Sequence, residues 1–188
     1  MRENFKIEFV RVIEGYNHLW AVKFPEKDDD ELTDVFTKWK DIEYLLNFFT
    51  ENLQDLKNYF HIERISTAIQ DTMEDADALE QVILELPYYD NFNELFRPLG
   101  SFDKYSSDII RTKARWWDRK CHPCWLRIYA ICLEKDLYVV TGGAIKLTRT
   151  MQERKHTSYE LEKLNKCMEY LKQNGVFDKE SFVELTNE

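Results

Sequence analysis

The sequence predicts an α+β fold, with a twisted antiparallel sheet, a long N-terminal helical hairpin and a C-terminal helix. Three observations predict it. Apolar residues recur at spacings of three and four through 31–86. The period changes after Pro87, and 125–133 and 137–141 are β-rich runs separated by Glu134-Lys135-Asp136. A helical pattern then opens at Thr157, with Glu160 three residues on as a capping partner.

Each element has its own signal. Residues 6–13 roughly alternate polar and apolar, Glu14-Gly15-Tyr16-Asn17 reads as a turn, and 19–24 as a second strand. Pro25 ends that strand. Glu26, Asp28, Asp29, Asp30 and Glu31 follow, where carboxylates favour the positive end of the next helix. The first helical arm carries Leu32, Val35, Phe36, Trp39, Ile42, Leu45, Leu46 and Phe49, with Asp41 as a point of restart. The second arm begins near Ser66 or Thr67, with Gln70 completing a capping box, and stops at Pro87.

Residues 95–99 are short and extended, while 101–124 are polar, basic and without a clear period. Trp125 opens a strong strand with its hairpin mate at 137–141, and Gly142-Gly143 lets the backbone bend. The last long helix buries Leu161, Leu164, Met168 and Leu171 and ends at Asn174-Gly175. A short terminal helix starts at Asp178. The chain of 188 residues reads as a single domain over 1–188. Its parts are a strand pair with an acidic linker (1–30), the helical hairpin (31–87), and the sheet with its C-terminal helix (88–188).

Composition limits the function. Hydrophobic residues make up 44%, enough for a real core, and no apolar run reaches the length of a membrane span. The N-terminus leads directly into a strand pattern, so a cytoplasmic, soluble protein with reduced cysteines is expected. Charge is segregated. Residues 1–96 hold 9 Lys/Arg and 22 Asp/Glu, a balance of −13. Residues 97–155 hold 13 and 6, a balance of +7. A basic block with interleaved aromatics is the pattern of a polyanion-binding surface.

The segments "LFRPL", "WLRIYAICLEKDLYVVTGGAIKLTRT" and "TSYELEKLNKCMEYLK" resemble the RelE/HigB superfamily of toxins from toxin-antitoxin systems. The matching residues are Arg127, the run 137–140, Gly143 with Lys146 and Thr148, and the helix from Thr157. The chain departs from that family in being nearly double the usual length and acidic overall. The resemblance implies a RelE-like sheet backed by helices, metal-independent mRNA cleavage as a RelE/HigB-like endoribonuclease, and RNA, a ribosome and an antitoxin protein as partners. It implies no cofactor, no metal and no membrane.

RNA cleavage without metal needs a group to activate the 2′-hydroxyl, charge on the phosphorane, and an acid for the leaving oxygen. Arg127, Lys146, Arg149 and His156 are the candidate catalytic residues. Candidate RNA contacts are Tyr129, Arg154 and Lys155, together with Lys113, Arg115, Trp117 and Arg119 in the densest basic-aromatic segment. Arg127 and Tyr129 sit two apart on a strand and share one face, expected to be the open one. The bland reading of the 146–156 tract is a solvated basic loop. Cys121-His122-Pro123-Cys124 is a single CxxC entering a strand and reads as a turn rather than a metal site. The alternative function is a non-catalytic protein- or RNA-binding module on a toxin-like scaffold.

Overall fold

The strand around Ile128 and Ala130 is apolar on both faces, so its sheet is covered on both sides. The structure is a computed structural model. It describes residues 6–88, 95–100, 109–114, 124–134 and 137–187. Its strands are β1 (Glu8–Arg11), β2 (Leu19–Lys23), β3 (Phe96–Pro98), β4 (Ile110–Ala114), β5 (Leu126–Glu134) and β6 (Leu137–Ile145). They form a six-stranded sheet in the order β1-β2-β6-β5-β4-β3.

The α+β class holds, with one difference in the sheet. Neighbouring strands are antiparallel except β2 and β6, which run parallel with Leu19 opposite Tyr138 and Ala21 opposite Val140. The Tyr138 N–H reaches across to the His18 carbonyl at 2.8 Å. The helical layer separates β2 from the β4–β5–β6 meander, so β6 comes to lie beside β2 in the same direction.

The helical hairpin is built from four helices, because its first arm is broken twice. The helices are α1 (Glu31–Lys40), α2 (Ile42–Glu51), α3 (Leu53–Phe60) and α4 (Ile65–Glu85). Asp30 caps α1, accepting from the Leu32 and Thr33 amides, and Asp41 caps α2 through the Tyr44 amide. An Asx residue that captures amides at one helix start favours a break over a continuous run. The α4 helix starts at Ile65 with Arg64 in the cap position, so the Thr67–Gln70 capping box does not form.

Period two along β5 divides the interior into two cores. Leu126, Ile128, Ala130 and Cys132 pack under α1–α4 with Trp39, Phe49 and Leu79. Tyr129, Ile131 and Leu133 pack on the other face with Leu164, Cys167 and Leu171 of α5 (Lys155–Gln173) and Phe182 of α6 (Lys179–Thr186). The helix α5 starts two residues earlier than its predicted cap. Thr157 is buried in the first turn and donates to the Met151 and Arg154 carbonyls at 2.6 and 3.0 Å. Asp178 caps α6 as expected. Gly142 and Gly143 stay inside β6 rather than ending it.

Candidate functional site

Cross-strand register places the basic residues. Arg97 of β3 lies opposite Lys113 of β4, and Lys113 lies opposite Tyr129 of β5. Directly opposed residues point to the same face, and residues two apart along a strand share it. Arg97, Arg111, Lys113 and Arg127 therefore all lie on the sheet face that carries α5. Lys146 follows Ile145 with its N–H on the Trp125 carbonyl at 2.8 Å, which continues the alternation onto that face. Along the described part of β3, β4 and β5, this face holds no carboxylate.

The cations on this flank feel one another. Burial, then the charges of Arg127 and Lys113, pull the Lys146 amine below the ordinary lysine value. Lys146 is half-buried and donates to the Thr148 and Arg149 carbonyls, both at 2.6 Å. Arg127, also half-buried, donates from one Nη to the Cys124 carbonyl at 3.0 Å and the Leu126 carbonyl at 2.6 Å. Lys113 reaches the Leu99 carbonyl at 3.3 Å, and Arg111 reaches Asn165 of α5 at 3.1 Å. Arg149 is exposed in the loop after β6.

Three predicted site residues are placed elsewhere. Tyr129 is 0% exposed beneath α5, so it has no surface on which a base could stack. The physical reason is that α5 covers β5 and β6 on that face, and only the β3–β4 side is left beside it. His156 turns toward the helical layer. Its Nε2 lies 2.9 Å from the Ile145 carbonyl and its ring stands edge-on to Phe48 of α2. That bond requires the proton on Nε2, so this nitrogen is not a base. Arg154 is bound by Asp55 of α3 through its Nε at 2.6 Å and through a second bond from Nη2. Lys155 is exposed at the first position of α5. Arg115, Trp117 and Arg119 lie outside the described residues.

The sequence reading missed a buried charge network at the end of the parallel strand pair. Lys163 of α5 is 8% exposed and bridges Glu31 of α1 at 2.5 Å and Glu160 at 2.9 Å. Lys27 completes the chain to Glu31 and Asp34 at 2.7 and 2.8 Å. Burial opposes the Lys163 charge, but Glu160 and Glu31 outweigh it and hold its amine above the ordinary value. Burial raises the Glu160 carboxyl against the pull of Lys163. Glu160 Oε2 and the Tyr129 hydroxyl are buried without a hydrogen-bond partner among the described residues.

Gly142 makes room for this network. Its φ of 150° disfavours side chains, and a Cβ there would collide with Glu160 Oε2 and the Lys163 amine. The signal in the sequence was the Gly142-Gly143 pair, read as a bend when it serves as a floor.

Cys124 is buried, and burial followed by Asp75 pushes its thiol up to about 12, so it is not a nucleophile. Among the described residues no group of three or more His, Cys, Asp or Glu is placed to hold a metal ion. No helix among them is long and apolar enough to cross a membrane. No family model matches the chain, and no curated protein or solved structure matches it.

Proposed function

We propose that this chain acts on RNA in the manner of a RelE/HigB-like toxin, taking the phosphate backbone on the basic flank of its sheet. One observation carries the reading. Arg97, Arg111, Lys113, Arg127 and Lys146, drawn from four chain segments, share one face on which the described strands place no carboxylate. Cations gathered against their mutual repulsion are complemented by a polyanion. Arg supplies planar paired contacts to phosphate and Lys a point charge.

Within that reading, binding is better supported than cleavage. The one histidine predicted as an acid or base, His156, faces α2 instead of the flank. A non-catalytic RNA-binding module, or one that blocks a ribosomal site, fits the turned-away histidine. A cleaving toxin requires another proton donor. An antitoxin protein belongs to the toxin reading as its partner.

RNA binding measured against salt tests the proposal. Each phosphate neutralised on a single strand contributes roughly 0.7 to the log–log salt slope, so Lys113→Ala with Lys146→Ala is expected to reduce that slope by about 1.4. Induced expression of the intact chain should arrest growth or translation, and the double variant should relieve the arrest. A folded protein that binds no RNA at low salt refutes the reading.

A further inference from the structure

We infer that the seam between α2 and α4, on the sheet face opposite the basic flank, docks a Lys/Arg-rich amphipathic helix of a partner protein. The two helices together contain eight carboxylates (Glu43, Glu51, Asp71, Glu74, Asp75, Asp77, Glu80 and Glu85) and no Lys or Arg. A helix exposed only to water ordinarily places Lys or Arg four residues from its acids and near its C-terminus. Here α4 has no acid in its first turn and no base in its last. Glu74 and Glu85 are served by the neutral amides of Gln70 and Gln81 one turn away. Such a distribution works against the isolated helix and gains from an external cation.

Apolar side chains lie among these carboxylates. Ile42 is 60% exposed and Leu46, one turn on, is 48% exposed, while Leu84 of α4 is 49% exposed. Lys40 joins the start of α2 to the outer side of α4 through Asp77 at 2.7 Å and Glu80 at 2.5 Å. The α2 stripe and the α4 acids therefore lie side by side on one surface. Anchors at i and i+4 with a charged border are the form of a groove that receives an amphipathic helix. The border is negative, which selects a cationic partner and rejects nucleic acid. Since the seam and the flank lie on opposite sheet faces, partner and RNA do not compete.

A synthetic helical peptide with Leu at i, i+4 and i+7 and Lys between them is the probe, read by fluorescence anisotropy with the full chain. Ile42→Ser with Leu46→Ser, and separately Glu74→Gln with Asp77→Asn, are expected to weaken binding at least about tenfold. Both variants should keep the wild-type circular dichroism spectrum and RNA affinity. A scrambled peptide of the same composition, without the apolar stripe, should bind at least about tenfold more weakly. Equal binding of the scrambled peptide overturns the proposal, as does no binding of either peptide. Sedimentation showing that the Ile42/Leu46 variant abolishes self-association also overturns it, because the occupant is then a second copy. Lys113→Ala with Lys146→Ala should leave peptide binding intact, so failure of the RNA reading and failure of this one are separate results.

Discussion

Lys163 carries more consequence than any other single side chain described. It lies between two buried carboxylates, and removing it leaves both without their shared cation. Lys163→Met is expected to cost about 3–5 kcal/mol in urea unfolding, because an uncompensated buried charge is costly. A loss below about 1 kcal/mol, the range of surface ion pairs, would show that water reaches the site. Glu160 gives a pH signature of the opposite kind to most carboxylates. Its folded pKa is raised above the ordinary 4.5, so the folded protein holds this proton more tightly than the unfolded chain. Stability from this group is present below 4.5 and falls as pH rises through the folded value. Glu160→Gln should therefore gain stability relative to wild type as pH rises above 4.5, measured by denaturant titration at several pH values. A difference that is flat with pH, or of reversed sign, excludes the assignment. Asp34 acts in the other direction. Burial opposes its charge, but Lys27 and Lys38 hold its pKa below 3.8, so its contribution is lost only in acid.

At the scale of elements, β6 joins the two helical layers. Gly142 opens space for the Glu160–Lys163 pair, and Gly143 lies close beneath Val35 and Trp39 of α1, where a Cβ would be 3.0 and 3.2 Å from them. A Cβ at either position forces one layer off the sheet. Gly142→Ala combines a collision with a left-handed φ and is expected to destabilise by more than the roughly 1–2 kcal/mol of the backbone conformation alone. Gly15→Ala is the control. Its φ is 75° but nothing lies within 4 Å of the added Cβ, so only the backbone cost applies. Thermal unfolding of the two variants separates packing from strain, and equal losses would remove packing from the account. The α4 helix is tied to β5 in a similar way, with the Trp125 indole N–H on the Thr72 hydroxyl at 2.9 Å between the layers. The partners of this bond are 53 residues apart in sequence, and both are fully buried.

For the whole molecule, charge is distributed by face. The acidic helices cover one side of the sheet and the basic flank lies on the other, with a net charge of −9. Excess negative charge on one layer repels itself in the folded state. Raising NaCl from about 10 mM to about 150 mM shortens the Debye length from about 30 Å to about 8 Å. The midpoint of thermal unfolding should rise over that range. A falling midpoint would mean that exposed ion pairs outweigh the repulsion. The same separation lets a polyanion and a polycation be held at once on opposite faces.

The elements themselves were legible in the chain, because the signals that set them are local. Helical spacing places the arms at 31–86, alternation places β1, β2, β5 and β6, and Asp178 and Asn174-Gly175 mark helix ends. The clustering of cations in 97–155 is equally a property of the sequence. Which of those cations act together is a matter of tertiary packing. Arg97 and Lys113 meet only through strand register, and Arg154 is withdrawn by Asp55, 99 residues away in sequence. Alternation correctly puts Arg127 and Tyr129 on one face, but it cannot tell that α5 covers Tyr129 and leaves the β3–β4 side beside it. The Lys163 network is illegible for the same reason. Glu31 and Lys163 are 132 residues apart, and each reads locally as an ordinary helical surface charge until the ends of β2 and β6 bring them into one buried site.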